Sequence, residues 1–187
     1  PVTADQVAAL AAALGVTGEP VRIDEGYGVS WRVGPEDGTA PSLFVSDDPQ
    51  QSWSYSNAWA EGIEGRPVCA VTVDPDGTQV AEDCPEPEPP SGVPTAADAE
   101  VRVRELLSAI GIEPTAVEFE MFADGWSANV TASSTIDPRA GVLTWSFTFG
   151  AEGVLQYAGG ALATPVAVGP YPLIDLATAF SRLQDQT

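Results

Sequence analysis

One pattern is written twice along this chain. Val7, Leu10, Ala11, Leu14, Gly15, Val16, Val21 and Ile23 are answered ninety-six positions later by Val103, Leu106, Leu107, Ile110, Gly111, Ile112, Val117 and Phe119. In each copy the apolar residues open with the i, i+3, i+4, i+7 spacing of a helix that buries one stripe. A glycine suited to a left-handed helix stop follows, and then the alternation of a strand. Further matches come at slightly larger offsets. Gly26-Tyr27 corresponds to Gly125-Trp126, and Val29 and Trp31 to Ala128 and Val130, now displaced by ninety-nine. Leu43, Val45, Trp53 and Tyr55 then align with Trp145, Phe147, Leu155 and Tyr157 at one hundred and two. The first step of three residues is assigned to the turn after the first strand, the second to a later loop. Chance agreement between amphipathic patterns is the competing explanation.

The pattern predicts an α+β fold of two tandem similar lobes. Each lobe is expected to be a helix packed on an antiparallel sheet of about four strands, with a C-terminal helix closing the chain. At 187 residues there is room for two units of modest size. Each alone would bury a smaller fraction of its surface than a larger domain does, so the lobes should pack together or carry a covalent staple. The stretch CPEPEPPSGVP is rich in proline and acid and lacks apolar periodicity, which marks an extended linker. The lobes are therefore assigned to 1–84 and 95–187, with the linker at 85–94. Thr3 with Gln6 forms a capping box ahead of the first helix, and Thr95 with Asp98 opens the second. Asp175 is placed to cap a third helix carrying Leu176, Phe180 and Leu183, after a short edge strand over Tyr171-Pro172-Leu173-Ile174.

Charge excludes several partners. Seven arginines face twenty-seven acidic residues, with no lysine and no histidine, for a formal net charge of -20. Phosphate backbones and anionic membrane surfaces would be repelled, so no nucleic-acid partner is expected. The imbalance arises from missing bases, in a bias toward Ala, Gly, Pro, Val and Arg that fits a high-G+C coding background; adaptation to salt is the lesser explanation. Cys69 and Cys84 flank a strand, a DPDG turn and a second strand. If Val73 faces Thr78, Cys69 faces Glu82 and Cys84 follows one pair on, so a bulge or frayed end would let the sulfurs meet. Such a bond would contribute about 3 kcal/mol by loop closure and would place the chain outside the cytosol. Two unrelated thiols are the other reading. The chain opens PVTADQ, without a basic segment leading into an apolar core, and no run of apolar residues is long enough to span a bilayer. A processed or trimmed ectodomain is expected, extracytoplasmic and monomeric, either secreted or held to the outer face of the membrane by an anchor upstream.

The closing stretch GALATPVAVGPYPLIDLATAFSRLQ resembles the ending of exported, membrane- or lipid-anchored envelope proteins of high-G+C Gram-positive bacteria, with a distant likeness to PepSY and YycH/YycI-type modules. The matching residues are Tyr171, Pro172, Leu173, Asp175, Ala179, Arg182 and Leu183. The resemblance implies an antiparallel sheet followed by a capped helix, and a regulatory or inhibitory role toward an envelope partner. It carries no catalytic residues.

Chemistry is limited by what is missing. Without histidine, Ser-His-Asp and Cys-His machinery cannot be assembled, and without lysine neither can Schiff bases or Ser-Lys pairs. No phosphate-cradling glycine loop occurs, and no cofactor is expected. Paired carboxylates are the one catalytic route left, but the acids single out no pair. Asp74 and Asp76 offer oxygen ligands, but the DPDG context is that of a hairpin turn and lacks the remaining calcium-loop positions, so no metal site is assigned. The paired acids Glu36-Asp37 and Asp47-Asp48 read as solvated turns, with an acidic docking edge as the alternative. In SWSYSNAW, Trp53, Tyr55, Asn57 and Trp59 share one face of a strand. Trp53 and Tyr55 are expected in the core, leaving Trp59 and Asn57 as candidates for a surface contact. The favoured reading is a non-enzymatic extracytoplasmic interaction or sensing module. A carboxylate hydrolase of cell-wall material, or a binder of glycans or small ligands, is the alternative.

Overall fold

A computed structural model describes residues 1–24, 26, 28–57, 71–73, 76, 79–81, 88–137, 141–163 and 175–184. Helix α1 (Ala4–Ala13) begins at the expected capping box: the Thr3 hydroxyl accepts the Gln6 N–H at 3.3 Å, and the Gln6 amide oxygen accepts the Thr3 N–H at 2.9 Å. Gly15 ends it at a φ of 71°. Four strands follow: β1 (Val21–Asp24), β2 (Val29–Val33), β3 (Ser42–Ser46) and β4 (Ser52–Ser56). A separate hairpin pairs β5 (Val71–Val73) with β6 (Gln79–Ala81). Helix α2 (Ala96–Ala109) repeats the opening, with the Thr95 hydroxyl accepting the Asp98 N–H, and stops before Gly111 at a φ of 83°. The chain then builds β7 (Glu118–Ala123), β8 (Ala128–Asp137), β9 (Gly141–Phe149), β10 (Leu155–Ala161) and α3 (Leu176–Gln184).

The eight longer strands form one open antiparallel sheet in the order β1-β2-β3-β4-β10-β9-β8-β7, where two separate four-stranded sheets were expected. The reason lies in β4 and β10. Tyr157 to Ala161 pair continuously with Ser56 to Ser52, so each half covers the other's exposed edge and satisfies backbone groups that would otherwise face water. Helix α1 rests on β2, α2 rests on β7 and β8, and the two helices touch each other. One apolar core joins them to the sheet. Val7, Leu10, Ala11, Val103 and Leu107 on the helices meet Leu43, Val45, Trp53, Val130, Trp145 and Phe147 below.

The register locates the length differences more closely than the apolar pattern does. Asp24 pairs with Val29 and Ala123 with Ala128, so the first turns of the two halves enclose equal numbers of residues. The extra three residues sit ahead of β7 instead, as the 3-10 turn Pro114–Ala116. Ile23 consequently pairs with Ser30 on the face away from the helices, whereas Phe119 pairs with Ala132 on the helix side. The expected match of Ile23 with Phe119 is corrected accordingly. Trp31 and Val45 are a directly opposed pair on the helix side, as are Val130 and Phe147. A bulge between Leu155 and Tyr157 breaks the last one, leaving Tyr55 4% exposed and Tyr157 47% exposed on the other face.

The β5–β6 hairpin sets Val73 opposite Gln79, one residue from the expected Thr78. Cys69 and Cys84 lie outside the described residues, as do Tyr171 to Ile174 and residues 85–87 of the linker. The closing helix forms as expected: the Asp175 carboxylate accepts the N–H and hydroxyl of Thr178 at 2.9 and 2.7 Å.

Candidate functional site

Strand alternation sorts side chains into two faces. Helices α1 and α2 pack on one face, and among the described contacts neither covers the other face. Three cross-strand series build it. Arg32 pairs with Phe44, and the row continues through Ser54, Gly159, Ser146 and Thr131 to Glu120. A second row runs Ser42, Ser56, Tyr157, Thr148, Asn129, Phe122. Ser30 and Ser46 form a further pair. Some of these side chains bond to one another: the Thr148 hydroxyl donates to the Asn129 amide oxygen at 2.9 Å, and the Ser42 and Ser56 hydroxyls lie 3.2 Å apart.

An open polar face is ordinary for an antiparallel sheet; its composition here is not. The five central strands β3, β4, β10, β9 and β8 place Ser, Thr, Asn, Gly, Ala, Phe and Tyr outward, and no charged side chain among the described ones. In a protein of net charge -20, the charged side chains described in the cross-strand rows of this face stand on its flanking strands, at Arg32, Glu118 and Glu120. Phe44 and Tyr157 stand in this field 41% and 47% exposed. At the end of β2 and β3 the face deepens into a cleft of about 380 Å³ lined by Gly28, Val29, Ser30, Phe44, Ser46, Asp47 and Asp48.

The acids near that cleft are engaged in folding. Asp47 accepts the Val2 N–H at 2.7 Å and ties the N-terminus to the sheet. Asp48 closes the β3–β4 turn by accepting from the N–H groups of Gln50 and Ser52. Burial pushes its carboxyl up, but bonds from Ser52, Gln50 and Gln51 outweigh that and leave it below the ordinary value. Asp37 is lowered by the Thr39 hydroxyl and N–H, and Asp124 by the N–H groups of Ser127 and Trp126. Glu36 pairs with Arg32. One acid of each pair singled out in the sequence, Asp37 and Asp48, is thus a turn-former, as expected, while Glu36 and Asp47 are held by Arg32 and Val2. No group of three or more metal-ligating side chains gathers among the described residues.

Trp53 and Tyr55 belong to the core, 3% and 4% exposed; Trp53 meets Phe147 edge-on at 6.5 Å, and the Tyr55 hydroxyl donates to the Leu155 carbonyl. Asn57 continues from β4 and gives its N–H to Gln156 at 2.9 Å, while Trp59 lies outside the described residues. The open face itself escaped sequence reasoning. Its signal was present in the serines and threonines alternating with core residues in SWSYS, NVTAS and LTWSFTF, but these lie far apart in sequence and meet only through strand pairing. A second cleft, of about 410 Å³, opens between the helices. Leu14, Leu106, Phe149 and Leu155 line it, and Arg102 reaches across to the Gly153 carbonyl at 2.6 Å.

No protein-family model matches the chain, and no curated protein and no solved structure is similar to it. No helix among the described residues is long and apolar enough to cross a membrane.

Proposed function

We propose that this protein is a non-enzymatic interaction module of the extracytoplasmic side of the cell envelope, with the open face of the sheet as its contact surface. The observation that carries the reading is the charge-free hydroxyl field on a strongly acidic chain. Charged side chains are the usual means of keeping a sheet face solvated and solitary, and excluding them removes a desolvation cost from any contact made there. Phe44 and Tyr157 among hydroxyls favour a neutral polyhydroxylated ligand, such as a wall glycan, since an aromatic ring can lie on the apolar face of a sugar while neighbouring hydroxyls bond to its rim. The alternative hydrolase needs a carboxyl that holds its proton near neutral pH. The shifted carboxyls Asp37, Asp48 and Asp124 all move the other way.

Binding of the protein to isolated wall glycan and to detergent-extracted envelope proteins tests this. Ser54→Arg and Ser146→Arg put charge at the middle of the face and should lower binding about tenfold or more while the circular dichroism stays native. Undiminished binding by both variants would count against the open face.

The extracytoplasmic setting rests on the Cys69–Cys84 pair and the envelope-like closing segment. A non-reducing intact mass with alkylation should show no reactive thiol; two labelled cysteines would remove that support. We also infer that the two halves derive from one helix-plus-four-strand unit. The palindromic strand order and the equivalent buried residues Val7 and Val103 support this, with the halves diverging at their first and last strands.

A further inference from the structure

The sheet ends in two edges that are built differently. At one, β1 is four residues long, and Arg22 stands on the helix-side face opposite Trp31. Short strands and inward charges are how sheets keep their edges from pairing. At the other, β7 is six residues long, follows β8 without a bulge, and places Phe119, Met121 and Ala123 on the helix side with no charge among them. Among the described residues nothing pairs with its far side. Met121 is 41% exposed, Phe122 62%, and Trp126 in the adjoining turn 41%.

Hairpin phase shows which backbone groups that edge offers. The Asp124 N–H donates to the Ser127 carbonyl at 3.3 Å, making this closing couple a hydrogen-bonded pair. Because bonded and non-bonded pairs alternate in an antiparallel ladder, Phe122, Glu120 and Glu118 bond to β8. Ala123, Met121 and Phe119 turn their N–H and C=O groups to the free side.

Charge selects the occupant. Glu118 and Glu120 stand exposed on the open face beside this edge. Arg104 lies over the Phe119 ring at 4.1 Å and is already paired with Glu100 on α2. A second copy paired antiparallel would bring the acids of both strands onto one face, on chains that each carry -20. We propose that β7 is a strand-docking edge for an extended segment of a partner protein. The residues of that segment alternate between basic, beside Glu118 and Glu120, and apolar, beside Phe119 and Met121. This assignment concerns a different surface from the open face and does not depend on it.

The test titrates the full chain with labelled decapeptides, one alternating Arg and Val and one alternating Glu and Val, with amide exchange followed by mass spectrometry or NMR. The Arg/Val peptide should bind at least about tenfold tighter and lose affinity as salt is added. It should also slow exchange at Phe119 and Met121 while leaving β1 unchanged. Glu118→Arg with Glu120→Arg should reverse the preference. Met121→Pro removes an outward N–H without removing a bond to β8 and should weaken binding about tenfold; if that variant does not fold, the charge reversal still decides. Equal affinity for both peptides, an unaltered preference after reversal, or protection at β1 would overturn the proposal. So would protection at Phe119 and Met121 without peptide: if it rises with protein concentration, the occupant is a second copy, and if it does not, a segment of this chain.

Discussion

Leu43 and Phe44 are neighbours with opposite fates. Leu43 is fully buried beneath the helices, while Phe44 looks outward. Leu43→Ala should cost about 2–5 kcal/mol by leaving a cavity, whereas Phe44→Ala should change stability by less than about 1 kcal/mol, both read from urea unfolding. The same face assignment predicts that only Phe44→Ala alters ligand binding. At acid pH the carboxylates of Asp37, Asp48 and Asp124 come into play. Their folded values lie below the ordinary 3.8, so their contribution is complete above about pH 4 and is lost as pH falls through the folded values. Thermal unfolding should show stability from these groups unchanged between pH 7 and 5 and declining below 4; a decline centred near pH 6 would assign acid sensitivity to other groups.

Among elements, β10 carries the tightest constraint. It sits at the sheet's centre, and a side chain at Gly160 would place its Cβ 2.1 Å from the Trp145 ring, which lies over the glycine and donates its indole N–H to the Ala161 carbonyl at 2.8 Å. Gly160→Ala should therefore displace Trp145 and destabilise the protein by about 1–3 kcal/mol, with a changed near-ultraviolet signal. The helices, by contrast, were legible from residue spacing and caps, because their signals are local. Thr3, Gln6, Gly15, Thr95 and Gly111 all perform the expected roles. Strands β1 and β10 were legible as strands but not as faces, since the 3-10 turn at Pro114–Ala116 and the bulge at Leu155 each shift the alternation in a way that an apolar pattern cannot register.

For the molecule as a whole, one sheet and one core cross the midpoint of the chain. Tryptophan fluorescence and far-ultraviolet circular dichroism should therefore report a single coincident urea transition, and two separated transitions would show independently stable halves. Added sodium chloride should raise the melting temperature by screening a net charge of -20. Repetition, helix stripes, caps, turns and the exclusion of whole chemistries could all be read from the order of residues, because each depends on neighbours a few positions apart or on composition. Joining the halves through β4 and β10, gathering scattered serines and threonines into one uncharged face, and leaving β7 as the less protected edge depended on strand pairing. Those pairings join residues as far apart as Ser52 and Ala161, and no local pattern encodes which edge meets which.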